Sequence, residues 1–160
     1  METITHRPIG VIRTPFLELE GMPVQAAGAR GIAGWIDIDP ALEEGLADLG
    51  GFSHVILLYH LHRVGAPKLT VTPFLDTVAH GVFATRSPAR PNPIGLSTVR
   101  LTRVAGTRLD IEDVDILDGT PLLDLKPYVP ALDDRADPRI GWYEGKLARI
   151  DEVRADRRFA

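Results

Sequence analysis

Three closely spaced prolines, Pro88, Pro91 and Pro93, mark a stretch of this chain that can be neither the interior of a helix nor a central strand. Each fixes its own φ at about −65° and lacks an amide donor, and each pushes the residue before it toward extended backbone. Those preceding residues are Ser87, Arg90 and Asn92. The stretch from Gly81 to Leu96 is therefore a stiff ribbon carrying two guanidiniums, Arg86 and Arg90, and the Asn92 amide, with little entropy left to lose on binding a ligand. The plainer account of the same residues is a proline-rich connector with two solvated arginines.

Short strand-like runs separated by turns fill the rest of the chain. Ile9 to Ile12 and Gly34 to Asp39 read as strands, and Pro40 to Leu49 reads as a short helix behind an Asp39 cap, ended by Gly50 and Gly51. Phe52 to His62 is a strongly apolar strand, expected to be buried on both faces for part of its length. Leu69 to Thr72 and Gly81 to Ala84 are further short strands. Leu96 to Val104 and Arg108 to Ile116 form a hairpin about Gly106 and Thr107, and Leu122 to Leu125 follows the Asp118-Gly119 turn. Asp137 and Pro138 cap a last helix predicted to run to about Val153. About seven short strands with two small helices predict a mainly β, single-domain barrel, not an alternating α/β sheet. Residues 1–135 are assigned to the barrel, and residues 136–160 to a C-terminal helical extension packed on it.

Composition narrows the function classes. With 160 residues, 44% of them hydrophobic, the chain can bury one core. The absence of cysteine excludes disulfides, thiolate metal sites and a cysteine nucleophile. A net charge of −4 argues against a uniformly basic nucleic-acid coat. It leaves room for a local patch, since Arg86, Arg90, Arg100 and Arg103 lie in an acid-free stretch. The first residues lack the pattern of a signal peptide and no run approaches the roughly 18 apolar residues of a membrane helix, so a cytoplasmic protein is expected.

Few familiar motifs are present. There is no glycine-rich dinucleotide fingerprint, no phosphate-binding loop and no nucleophile-elbow serine. His54, His60 and His62 share one strand face by parity, and His60-Leu-His62 is similar to the ligand pair of a cupin-like metal site. Where a cupin continues with a carboxylate, this chain has Val64, Gly65, Ala66 and Pro67, so no metal is assigned. A core histidine bonded to backbone is the expected fate of His54. Asp118-Gly119-Thr120-Pro121 reads either as a hairpin turn or as a carboxylate and hydroxyl suited to a ribose or an ammonium. Asp124, Lys126 and Tyr128 alternate onto one face of an extended strand, as a salt bridge or as substrate contacts.

Taken in order, Pro23-x-Gln25, Gly51-Phe-Ser-His-Val, His60-Leu-His62-Arg63, the ribbon from Gly81 to Ser97, and Leu117-Asp-Gly-Thr-Pro to Lys126-Pro-Tyr-Val-Pro130 resemble the TsaA-like, or TrmO, family of tRNA methyltransferases. The resemblance covers roughly residues 7–133. It implies a compact β-barrel, a homodimer, S-adenosylmethionine as cofactor, no metal, and methylation of N6 of the threonylcarbamoyl-modified adenosine beside the anticodon, with the tRNA anticodon arm as partner. Carried over residue by residue, it implies cofactor contacts at Pro23, Val24, Gln25, His62, Arg63, Arg86, Leu96, Asp118, Gly119, Thr120 and Pro121. Asp118, Tyr128 and His62 are the candidate bases, and Arg90, Asn92, Lys126 and Tyr128 the candidate substrate contacts. Longer bacterial relatives carry a separate C-terminal domain in place of the extension with Arg154, Arg157 and Arg158. Two other readings stay open: an adenosine-binding module without the transfer reaction, and a cupin-like metal enzyme.

Overall fold

A computed structural model describes residues 2–150 and 152–156. Eight strands are assigned: β1 (Gly10–Arg13), β2 (Gly34–Ile38), β3 (His54–His60), β4 (Thr70–Val71), β5 (His80–Gly81), β6 (Ile94–Ala105), β7 (Arg108–Glu112) and β8 (Thr120–Pro127). Six of them close into an antiparallel barrel in the order β1-β2-β7-β6-β3-β8, while β4 and β5 pair as a separate ribbon.

Alternation drives the closure. Every second residue of β3 (Val55, Leu57, Tyr59), β6 (Gly95, Ser97, Val99, Leu101) and β7 (Leu109, Ile111) is buried, and the same parity places Ile36 and Ile38 of β2 and Leu122 of β8 in the core. Each fully buried aliphatic side chain contributes roughly 1.5–3 kcal/mol. Val114 and Ile116, from the segment after β7, complete this cluster at one end of the barrel. Register shifts at Leu58/Tyr59, against β8, and at Leu101/Arg103, against β7, supply the local twist that closing a small sheet demands. Gly95 is required by close approach, because an ideal Cβ there would stand 2.1 Å from Tyr59 Cε2.

A second, smaller apolar cluster of Val71, Val82 and Ala89, flanked by Val64 and Phe74, lies beneath the proline ribbon. Arg90 stiffens that ribbon from within by donating to the carbonyls of Val82 at 3.1 Å and Thr85 at 2.9 Å.

Several elements depart from expectation. Pro40 to Leu49 becomes a 3-10 turn at Pro40–Leu46 and a second at Leu49–Gly51, separated by Asp48 at φ 64. Gly81 to Ala84 is a strand only at its start and then a 3-10 turn. The strand of the hairpin's second arm ends at Glu112, because Asp113 adopts φ 66 and its carboxylate accepts the Gly31 amide at 2.8 Å. β3 buries one face fully and the other partly, so His54 stands on the outer face, bonded to Ser53 Oγ through Nδ1 at 2.9 Å. The helix expected from Asp137 to Val153 is replaced by single 3-10 turns at Gly141–Tyr143 and Leu147–Arg149. Gly141 and Gly145 sit at φ 58 and 72, a conformation no α-helix continues through. Arg157 and Arg158 lie outside the described residues. Among the described residues no helix is long and apolar enough to cross a membrane.

Candidate functional site

One end of the barrel gathers the C-terminal ends of β1, β3 and β7 with the N-terminal ends of β6 and β8, as the antiparallel registers require. A cavity of about 790 Å³ opens there. That size falls in the range of roughly 300–1,000 Å³ that encloses a cofactor-sized molecule. Its walls are mostly apolar, from Met22, Leu61, Phe74, Ile94, Leu96 and Leu117 among others, with polar groups set between them.

The proline ribbon supplies one wall through Thr85 to Pro88, Arg90, and Ile94 to Leu96. Arg86 is exposed, and its Nη1 donates to Gln25 Oε1 at 3.1 Å, which ties the ribbon to the loop holding Pro23 and Val24. All three residues of that loop line the cavity, as do His62 and Arg63. Leu96 is 54% exposed, apolar surface left open beside this space.

From the Asp118 turn, only Thr120 reaches the wall. Its hydroxyl donates to the Leu117 carbonyl at 2.7 Å, and its oxygen lies 3.4 Å from His62 Nδ1. Asp118 is committed elsewhere: it accepts the Thr14 amide at 3.1 Å and stands 3.6 Å from Arg13 Nη1. Gly119, at φ 74, makes the turn, and Pro121 pairs with Val11 in the β1–β8 ladder.

Other candidates fall away from this end. Asn92 is exposed and off the wall, and Lys126 pairs with Asp124 at 2.6 Å. Tyr128 donates its hydroxyl to Asp134 at 2.9 Å, which raises the phenol's pKa. Lys126 lies opposite Ile56, and the Tyr128 amide bonds to the His54 carbonyl, so within one chain both stand at the far end of β3 from His62.

Electrostatics distinguish the cavity's polar groups. Burial, then Arg63 and His60, lower the His62 pKa, which keeps its imidazole neutral at physiological pH. Asp115, on the wall, has its carboxyl pKa raised by burial against the opposing pull of Ser97, its own amide, Arg86 and the Ala26 amide. Among the described residues no group of three or more His, Cys, Asp and Glu side chains could hold a metal ion, and His60 is exposed on the outer face of β3.

Tyr59, Ser97 and Asp115 escaped sequence reasoning. One signal was available: Ser97 falls at an inward parity of β6 between Gly95 and Val99, and a polar side chain at a core position requires a buried partner. The C-terminal segment was also missed as a wall, although Ile140, Trp142, Tyr143 and Leu147 line the cavity. Trp142 Nε1 donates to the Ala84 carbonyl at 2.7 Å and its ring stacks on His80 at 4.5 Å. Lys146 bonds Asp76, and Pro23 bridges to Arg154.

Residues 11–134 match the tRNA-methyltransferase O N-terminal domain. The chain is similar to a probable S-adenosyl-L-methionine-binding protein of Pyrococcus abyssi, with 53% identity over 156 residues, 98% of this chain and 85% of that protein. It is 35% identical over 147 residues to the tRNA (adenine(37)-N6)-methyltransferase of Escherichia coli, covering 86% of this chain and 63% of that enzyme. A crystal structure of TrmO from Pseudomonas aeruginosa superposes with a TM-score of 0.74 at 40% identity, over 88% of this chain and 63% of that one. The chain thus spans about 63% of the length of both the bacterial enzyme and the solved structure.

Proposed function

The chain belongs to the tRNA-methyltransferase O family, and on that premise we propose that it binds S-adenosylmethionine in the barrel-end cavity and methylates N6 of threonylcarbamoyl adenosine next to the anticodon of tRNA. The observation that carries the reading is the meeting of the proline ribbon, the Pro23–Gln25 loop, His62 and Thr120 around one cavity. Its contents suit the cofactor chemically: Leu96 and Leu117 offer apolar surface to a purine, Arg63 and Arg86 offer charge to a carboxylate tail, and Asp115 offers a carboxylate to a cation.

When bound, the cofactor supplies a sulfonium methyl for in-line displacement. The protein's part is alignment. A stiff ribbon and a closed barrel hold the walls in place, and such positioning is worth up to roughly 7–11 kcal/mol of the barrier. His62, kept neutral by burial and by Arg63, is a cavity residue able to accept the proton that N6 must lose. Arg63, Arg86 and Arg90 form the cationic side of the site, toward which carboxylate or phosphate of the modified nucleoside is drawn. The Pro88–Pro91–Pro93 backbone costs little entropy to order around it.

We further propose that the protein acts in the cytoplasm as a homodimer, the arrangement in which Lys126 and Tyr128 of one copy could serve the other's substrate. Light scattering tests the stoichiometry.

A second reading, a binding module without transfer, draws on relatives described only as S-adenosyl-L-methionine-binding proteins. Nucleoside mass spectrometry of tRNA from cells with and without the gene separates the two. The methyltransferase reading expects N6-methylated threonylcarbamoyl adenosine to vanish with the gene, and persistence at the parental level contradicts it.

A further inference from the structure

Asp115 follows the left-handed turn at Asp113, which redirects the chain from β7 across the barrel end and brings this carboxylate to the cavity wall. Its Oδ1 accepts the Ser97 hydroxyl at 2.7 Å, and the Ser97 oxygen is 2.9 Å from the Tyr59 hydroxyl. Because Ser97 spends its one proton on the carboxylate, Tyr59 must donate to Ser97, and the chain of bonds runs in one direction, from phenol to hydroxyl to carboxylate. Ser97 is 4% exposed and Tyr59 7%, so water does not compete for it.

The carboxylate is thus oriented, half-buried and without a salt-bridge partner among the described residues. Arg86 acts on it only through space, its Nη1 being bonded to Gln25. The other acid on the wall, Asp156, is exposed to solvent. A partly desolvated carboxylate facing a mostly apolar cavity attracts a cation more strongly than the same group in water, since the local dielectric is lower.

We propose that Asp115 is the residue by which the cavity distinguishes the positively charged sulfonium cofactor from the neutral thioether that remains once the methyl has left. Ser97 and Tyr59 act as positioning residues that aim it. The inference rests on the cofactor reading above and adds a consequence to it: loss of the sulfur's charge removes one attraction and favours exchange of the spent cofactor.

Titration calorimetry with S-adenosylmethionine and S-adenosylhomocysteine tests this, because the two ligands share adenosine, carboxylate and ammonium and differ at sulfur. In Asp115→Asn, which preserves shape and an acceptor for Ser97, affinity for S-adenosylmethionine should fall about tenfold while affinity for S-adenosylhomocysteine changes by less than about twofold. Equal weakening of both ligands, or of neither, overturns the assignment. If the wild-type protein binds neither ligand, the cofactor reading itself fails and takes this one with it.

A second measurement does not depend on that variant folding. The charged and titratable groups that act on Asp115 are Arg86 on the ribbon and Tyr59 on β3, and those that share its cavity wall are His62, Arg63, Arg90 and Asp156. Of these, His62 also titrates in mild acid and Asp156 is a second acid, so the comparison is made in His62→Gln combined with Asp156→Asn. There, affinity for S-adenosylmethionine should still fall relative to S-adenosylhomocysteine as acidification protonates Asp115. A ratio that stays flat with pH contradicts the proposal.

Discussion

The Tyr59 ring occupies the space that a side chain at Gly95 would need, with Cε2 2.1 Å and Cζ 2.4 Å from an ideal Cβ. The phenol carried by that ring is bonded to Ser97, two residues further along the same strand. Glycine at one position therefore sets the hydrogen-bonded geometry at another. Gly95→Ala should displace the ring, break the Tyr59–Ser97 bond and destabilise the fold by roughly 1–3 kcal/mol, the usual range for overpacking. Urea denaturation measures it, and a midpoint equal to that of the parent protein would show that the ring yields freely.

Arg86 is exposed and contributes one side-chain hydrogen bond, to Gln25. Arg86→Ala should cost less than about 0.5 kcal/mol of stability, as surface changes do. It should nevertheless remove most methyl transfer, since a charged wall of the cavity is lost. Circular dichroism and single-turnover transfer to tRNA report the two effects separately; unchanged turnover removes the ribbon from the site.

His62 has a pKa lowered by burial and by Arg63, so its free-base form persists to more acidic pH than an ordinary histidine's. Transfer should rise as pH increases through a value below the usual histidine range and then level off. Under saturating cofactor, His62→Gln should lower kcat and abolish that acid limb. An unaltered limb in the variant assigns the titration to another group.

Asp115 and Asp76 should affect stability with opposite signs. Burial raises the Asp115 pKa, so its ionisation disfavours the folded state as pH rises through the raised value, and Asp115→Asn should raise the Tm at pH 7 even as it weakens cofactor binding. Asp76 accepts from Lys146 and His80 and has its pKa lowered, so its contribution is present above the ordinary aspartate range and fades as pH falls below it. Asp76→Asn should lower the Tm at pH 7, flatten its acid dependence and expose the segment after Gly141 to protease. Calorimetric scans across pH check both, and parallel curves for either variant and the parent contradict the corresponding assignment.

What the sequence made legible follows its short-range physics. The period-2 pattern through Val55, Leu57 and Tyr59 and the Gly106 turn disclose strands and a hairpin, because both signals act between near neighbours. The clustering of Pro88, Pro91 and Pro93 discloses a rigid loop for the same reason. Hidden were the relations that span the chain. Asp118, which reads as a free turn carboxylate, is taken by the Thr14 amide across 104 positions. Tyr59, Ser97 and Asp115 meet only after β3 and β6 have paired and the barrel has closed. The C-terminal helix expected behind the Asp137-Pro138 cap does not form, because a start signal says nothing of Gly141 and Gly145, whose positive φ angles interrupt any helix beyond it.

The central claim is that the proline ribbon and Thr120 enclose one cofactor site at the barrel end. A crystal structure with S-adenosylmethionine tests it most directly. The account predicts ligand density in the cavity between Arg86, Leu96, His62 and Thr120, with the sulfur nearer Asp115 than any other carboxylate of the chain. Well-ordered ligand elsewhere on the barrel, with this cavity filled only by water, would contradict it.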